Sequence, residues 1–334
     1  LMGLGGAELS ALCTQLGFPA YRGRQIARWI YGGGVSDPAQ MRNLPKDLLK
    51  RLSETASITR SEIASRSLSN DGALKLLLSL VDGERIECVL LPYETRVSVC
   101  VSSQVGCPIC CEFCATGQQG FVRNLTPGEI LDQVLTVSSE ASRPVTHVVF
   151  MGMGEPLTNF DNIMRAVALI NAELDISMRR ITVSTVGLTP QIRQMAAMEM
   201  QLTLAVSLHT ADQRVRDHLI PKASAFPIPG LIEACHEYAD RTKRRVTFEV
   251  ILLRGINDSP ADAVALARLL RGTMCHVNLI PFNEVAYTDF RAPSKDVIRA
   301  FRSTLESEGV KVTQRMARGA KSSAACGQLR GEFR

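Results

Sequence analysis

The spacing of hydrophobic positions changes twice along the chain. Over residues 8–60 it follows a helical period: Ile26, Trp29 and Ile30 share one face, and Pro45 stands where a first-turn proline belongs, ahead of Leu48, Leu49 and Leu52. From Leu74 the texture becomes that of strands. Segments 74–80 and 85–92 flank Asp82-Gly83, a two-residue turn signal, so a hairpin is predicted, with a third strand over 97–102. Strand and helix patterns then alternate to the end. Strands are predicted at 146–150, 181–185, 202–208, 246–252, 277–280 and 310–313, with helices between them, for example at 162–172, 228–240, 261–270 and 295–307.

Alternating βα units imply a parallel sheet, either open and doubly wound or curled into a full or partial barrel. About six units fit a partial (β/α)6 barrel better than a closed barrel of eight. The expected organisation is an α/β protein in three parts: a small helical domain over 1–60, a β-hairpin linker over 61–96, and the barrel core over 97–334.

Composition narrows the class only slightly. Of 334 residues, 46% are apolar and 21% charged, as in ordinary globular proteins. No run of apolar residues is long enough to cross a membrane and no signal-peptide pattern opens the chain, so a cytoplasmic protein is expected. Leu1 precedes Met2, which fits a fragment or an unusual start. The net charge of +5 permits a polyanionic partner without demanding one. Arg22, Arg24, Arg28, Lys46, Lys50 and Arg51 give the helical segment a basic surface, either a solvated face or a nucleic-acid docking module.

Cysteine changes the picture more. Four of the ten cysteines, Cys107, Cys110, Cys111 and Cys114, crowd into one short segment, where a disulfide framework would spread them. Cys107, Cys111 and Cys114 stand in C-x3-C-x2-C spacing. Three thiolates on one loop can ligate three irons of a cubane cluster and leave the fourth open to a substrate. Zinc is the competing ligand, but structural zinc takes four ligands, usually as two pairs. No histidine precedes His147, and adjacent Cys110 and Cys111 aim poorly at one tetrahedral ion. Cys13, Cys88, Cys235 and Cys275 read as small hydrophobes.

In βα barrels functional groups gather at the C-terminal ends of strands. Met151-Gly-Met-Gly-Glu-Pro156, Ser184, Ser207-Leu-His209 and Pro281-Phe-Asn283 all fall there. Each alone has an ordinary structural explanation; their recurrence at one rim points to a site. Gly152 and Gly154 suit close backbone approach to a ligand.

These residues also resemble a known family. Cys100-Val-Ser-Ser-Gln-Val-Gly-Cys107, Phe113-Cys-Ala-Thr-Gly-Gln-Gln-Gly-Phe121, Arg123-Asn-Leu125, Met151-Gly-Met-Gly-Glu-Pro-Leu157, Ser207-Leu-His209, Asn278-Leu-Ile-Pro281 and Ala324-Ala-Cys-Gly-Gln-Leu329 resemble the RlmN/Cfr family of radical S-adenosylmethionine RNA methyltransferases. The resemblance implies a radical-SAM partial barrel, a [4Fe-4S] cluster on Cys107, Cys111 and Cys114, and S-adenosylmethionine held by Gly154, Glu155, Ser184, Ser207, Leu208, His209 and Asn283. It implies that Cys326 takes a methyl group as a thiolate nucleophile. An adenosyl radical then removes hydrogen from that methyl group, and the carbon radical adds to adenine. It implies Glu87 as proton acceptor and Cys100 as the cysteine that resolves the RNA adduct through a transient Cys100–Cys326 disulfide. The implied partners are 23S rRNA and tRNA, with an electron donor such as flavodoxin; the expected state is a monomer away from membranes.

Adenine C2 and C8 are poor nucleophiles, so a radical route is needed, and the base must leave its stack to reach the barrel mouth. Val105, Gln118-Gln-Gly-Phe121 and Pro156 resemble the C2-methylating branch, with C8 methylation as the alternative. Two departures stand out: the segment Arg318-Gly-Ala-Lys-Ser-Ser-Ala-Ala-Cys326 lacks expected acidic and apolar residues, and Glu284 follows Asn283 where proline is usual. A radical enzyme acting on another substrate, or a non-catalytic zinc or iron–sulfur RNA-binding protein, are readings from other classes.

Overall fold

The computed structural model describes residues 1–284, 288–315 and 325–329. The departure at 318–324 therefore lies outside the described residues. Twelve strands are described: β1 (Glu62–Leu68), β2 (Leu74–Ser79), β3 (Arg85–Pro92), β4 (Val97–Cys100), β5 (Gln104–Gly106), β6 (Phe121–Asn124), β7 (His147–Phe150), β8 (Ile181–Thr185), β9 (Thr203–Ser207), β10 (Val246–Leu252), β11 (Cys275–Pro281) and β12 (Val312–Gln314). The helices are α1 (Gly6–Gln15), α2 (Tyr21–Ala27), α3 (Lys46–Thr55), α4 (Ala115–Gln118), α5 (Pro127–Glu140), α6 (Phe160–Glu173), α7 (Thr189–Ala197), α8 (Gln213–Leu219), α9 (Ile228–Thr242), α10 (Pro260–Leu269) and α11 (Lys295–Ser307).

Ten strands form one sheet in the order β1-β2-β3-β4-β7-β8-β9-β10-β11-β12, and β5 and β6 make a separate hairpin. From β4 to β12 every neighbouring pair is parallel. Helices fill the crossovers, as parallel pairing requires. This is the partial α/β barrel expected. The hairpin around Asp82-Gly83 does more than link: β1, β2 and β3 pair antiparallel and join the barrel sheet through β3 and β4. Pro45 is not inside the first turn of α3 but caps it from the position before.

Local sequence explains the crossovers. Thr126 and Glu129 close a reciprocal capping box at the start of α5, with Pro127 just inside, and Ser259, Pro260 and Asp262 repeat the device at α10. Strand β10, Val-Thr-Phe-Glu-Val-Ile-Leu, is buried on both faces apart from half-buried Thr247, as a central parallel strand covered by helices should be.

The N-terminal helices pack Leu9, Cys13, Ile26, Ile30, Leu48 and Leu52 into a core continuous with that of the barrel. A Cβ on Gly23 would lie 2.1 Å from Ser10 N, so α1 and α2 cross at a distance only glycine allows. This layer docks on α6: Gly6 N donates to Glu173 at 2.7 Å, and Arg165 pairs with Glu8 at 2.6 Å. Among the described residues no helix is long and apolar enough to cross a membrane.

Candidate active site

Strand period places the site. Along each parallel strand alternate residues face inward. Ser184, Ser207, Glu249, Ile251 and Ile280 thereby line one cavity at the C-terminal end of the barrel, of about 150 Å³. Cys107, Cys111, Cys114, Gly154, Glu155, His209, Arg315 and Cys326 line it too. Met151, Gly152 and Pro156 line it as well, so most of the residues singled out from sequence converge there. Leu208 is fully buried and absent from the lining, but its backbone N–H donates to Glu249 O at 3.1 Å. Asn283 also stands outside and donates from Nδ2 to the Cys326 carbonyl at 3.2 Å.

The cysteine loop leaves β5, makes the α4 turn and returns along β6. Gly106 has φ +72, and a Cβ there would strike Gly120 O at 2.0 Å, so the base of the loop needs glycine. Burial raises the thiols of Cys107 (to about 12), Cys111 and Cys114. Cys110, with φ 56 and its sulfur 3.7 Å from Pro108 O, is not part of the lining. Among the described residues no three His, Cys, Asp or Glu side chains converge on a point that one metal ion would fill. Three thiols that open on one cavity can each take one iron of a cluster.

The loop after β7 is locked rather than open. Glu155 is buried; its carboxylate accepts from Leu157 N at 3.0 Å and Val186 N at 2.8 Å, and burial raises its pKa to about 7. Gln104 accepts from Glu155 N at 2.8 Å and donates to Asn124 and Thr158, tying this loop to the cysteine hairpin. The glycines have a packing reason beyond ligand approach: a Cβ on Gly152 would meet Val101 O at 2.6 Å, and one on Gly154 would meet Ser103 Oγ at 2.5 Å.

His209 takes the left-handed conformation, φ 65. Its Nδ1 accepts from Ile251 N at 3.2 Å, which assigns the ring proton to Nε2. Burial, with Arg216 nearby, lowers its pKa to about 3, so the ring is neutral. Asn257 fixes the turn by donating to His209 O at 2.8 Å and Ile251 O at 2.7 Å.

The segment 325–329 is pinned over the cysteine loop: Ala115 N donates to Gly327 O at 2.8 Å and Thr116 Oγ1 to Leu329 O at 2.7 Å. Cys326 is thereby set in the cavity. Cys100, at the end of β4, is within electrostatic reach of both Cys326 and Arg315, and burial raises its thiol to about 12. All ten cysteines are free, so the Cys100–Cys326 disulfide is not formed here. Glu87 lies outside the cavity lining, buried and paired with Lys75 at 2.8 Å, not on a solvent-facing strand position. Because Val89 stands opposite Cys100, Glu87 projects from the same face of the sheet as Cys100.

Sequence reasoning missed Thr116, Glu249, Asn257 and Arg315. Glu249 carried a signal, since it is the one charge in an apolar strand; the others look like ordinary loop and edge residues.

The curled parallel sheet and the three-cysteine loop at its rim define a radical S-adenosylmethionine enzyme, and residues 101–267 match the Radical SAM superfamily. Residues 1–58 match the ribosomal RNA large subunit methyltransferase N-terminal domain. The chain belongs to the RlmN family. It is 48% identical over 330 residues to a probable dual-specificity RNA methyltransferase RlmN of Trichodesmium erythraeum, covering 99% of this chain and 95% of that one. The relative of the same name in Thermosynechococcus vestitus is also 48% identical, with 99% and 98% covered. The crystal structure of a radical SAM methyltransferase from Sphaerobacter thermophilus superposes with a TM-score of 0.96 at 45% identity, covering 99% of both chains. Members of this family use a [4Fe-4S] cluster and S-adenosylmethionine.

Proposed function

We propose that this chain methylates C2 of an adenine in 23S ribosomal RNA, and of an adenine in transfer RNA, through a methyl group carried on Cys326. The observation that supports this best is that Cys326 shares one cavity with Cys107, Cys111 and Cys114, with Cys100 within electrostatic reach. The name shared by the cyanobacterial relatives supports two RNA substrates. C8 of the ribosomal adenine is the alternative position.

Cys107, Cys111 and Cys114 hold the cluster, and Gly154, Glu155, Ser184, Ser207, Leu208, His209 and Asn283 shape the S-adenosylmethionine site. When bound, these groups supply a methyl group and a one-electron route to a hydrogen-abstracting radical. The chain's own residues do the rest. Asn283, Ala115 and Thr116 clamp the backbone around Cys326 so that its sulfur stays in the cavity. Neutral His209 is held in a fixed orientation at the cavity wall by Ile251 N and Asn257. Glu87 takes a proton from the RNA adduct. Cys100 sulfur then attacks Cys326 sulfur: the S–S bond forms, the S–C bond breaks, and the electron pair leaves with the methylene carbon, which is protonated to methyl. Reduction of the disulfide resets the pair. The enzyme works as a cytosolic monomer with a flavodoxin-type electron donor.

The test is anaerobic. Reconstituted enzyme, dithionite, S-adenosylmethionine and unmodified ribosomal RNA should yield 2-methyladenosine by mass spectrometry, lost in C326A. 8-Methyladenosine would overturn the position; 5′-deoxyadenosine without methylated nucleoside would overturn the substrate.

A further inference from the structure

Behind the cavity wall next to Cys111 lies a buried cation that makes no ion pair among the described residues. Arg216, on α8, is fully buried. Among the described residues its guanidinium donates only to backbone carbonyls: Nη1 to Ala223 O at 3.3 Å and Phe226 O at 3.2 Å, and Nη2 to Val186 O. Its Nε has no partner among them. Among the described residues it makes no ion pair. Asp217, its neighbour in sequence, accepts from Gln213 Nε2 at 2.6 Å instead. Asp217 offsets part of its charge electrostatically without an ion pair, while Cys235 is held as a thiol by burial and His209 is neutral. An interior cation is costly unless it is paired, and three carbonyl dipoles offset only part of that cost.

The position of Arg216 says what completes the balance. Cys111 is within its electrostatic reach, and Val186, whose carbonyl it holds, lines the cavity with Cys111. α8 is joined to the cysteine loop directly, Glu112 N donating to Leu219 O at 3.1 Å. A four-iron cluster on three thiolates is anionic and becomes more so on reduction, and nearby charge is one of the factors that set its potential.

We propose that Arg216 is a positioning residue for the cluster: its buried positive charge is matched by the anionic cluster at Cys111 and raises the cluster's reduction potential. This rests on the reading of Cys107, Cys111 and Cys114 as the cluster ligands. A purely structural role, latching the Val186 and Ala223 turns together, is the rival.

The test uses the full chain reconstituted anaerobically, as wild type, R216K, R216Q and R216M. Cluster content is read by optical and Mössbauer spectroscopy, and the midpoint by mediated titration followed by the electron paramagnetic resonance of the reduced cluster. R216Q and R216M should shift the reduction equilibrium about tenfold toward the oxidised form, about 59 mV for one electron, and R216K should stay within about threefold of wild type. An unchanged midpoint in R216Q and R216M, or R216K falling as far as R216Q, would overturn the proposal. Should R216Q and R216M hold no cluster while R216K holds a full one, the need for a positive charge is upheld. Loss of the cluster in all three variants would mean that the guanidinium's hydrogen bonds matter and its charge does not. Wild type that assembles no four-iron cluster would refute the ligand reading itself, independently of Arg216.

Discussion

Lys75 Nζ lies 2.8 Å from Glu87 Oε1, with both side chains almost sealed from solvent on adjacent strands of the barrel sheet. Removing one partner of such a pair strands a buried charge, whereas replacing both does not. K75M should lose about 3 kcal/mol of stability in urea denaturation, and K75M/E87L markedly less. If Glu87 serves as the proton acceptor, E87Q should still methylate Cys326, seen by intact mass, yet release no methylated RNA. Full turnover by E87Q would remove Glu87 from the mechanism.

His209 gives the apoprotein a pH signature. Its pKa falls from 6.5 to about 3 on folding because the ring is buried beside Arg216. Below pH 6.5 the unfolded chain binds a proton that the native state refuses, so stability rises with pH across the window from about 3 to 6.5 and is level above it. The slope from this group is about 1.4 kcal/mol per pH unit. H209N, which tolerates the positive φ, should be destabilised at pH 7 but should lose less than wild type on going from pH 7 to pH 5. Equal losses in urea titrations at the two pH values would show that His209 protonates freely in the native state.

How much of this was legible depends on whether the physical cause was local. Strands β8 and β10 and helix α11 have the bounds their apolar periods predict, and Asp82-Gly83 does turn the chain between β2 and β3. Strand β1 was not legible: Glu-Ile-Ala-Ser-Arg-Ser-Leu is an exposed edge with little alternation, held by its pairing to β2. The same split runs through the site. The C-x3-C-x2-C loop announces itself, but Cys100 and Cys326 are far apart in sequence and come within electrostatic reach only because the sheet curls and segment 325–329 is pinned over the cysteine loop. Arg214 and Arg216 are indistinguishable in the polar helix Gln-Arg-Val-Arg-Asp-His-Leu; only helix orientation makes one exposed and the other fully buried.

Arg24, Arg28, Lys46 and Lys50 are exposed on the N-terminal helices. If this layer docks RNA, charge there should act through counterion release. Replacing all four by glutamate should weaken RNA binding at least about tenfold at moderate salt and flatten the dependence of log Kd on log salt, while cluster content stays as in wild type. An unchanged salt slope would make these residues a solvated face and nothing more.

The Cys100–Cys326 relationship sets the last prediction. In the proposed cycle the RNA is tied to Cys326 by a thioether carbon–sulfur bond until Cys100 attacks that sulfur. With Cys100 replaced by alanine, every earlier step is left with its residues in place, but no sulfur on β4 can form the S–S bond that displaces the methylene carbon. C100A should therefore accumulate a covalent enzyme–RNA species, visible as a band shifted on a denaturing gel and removed by nuclease. A reductant should not release it, because a thioether is not a disulfide. C326A should form no such species, and C100A/C326A none either. Adduct in C100A that vanishes with dithiothreitol would mean that the RNA is not carried on a thioether. Normal release of methylated RNA by C100A would mean that another group resolves the adduct, and that the nearness of the two cysteines serves packing alone.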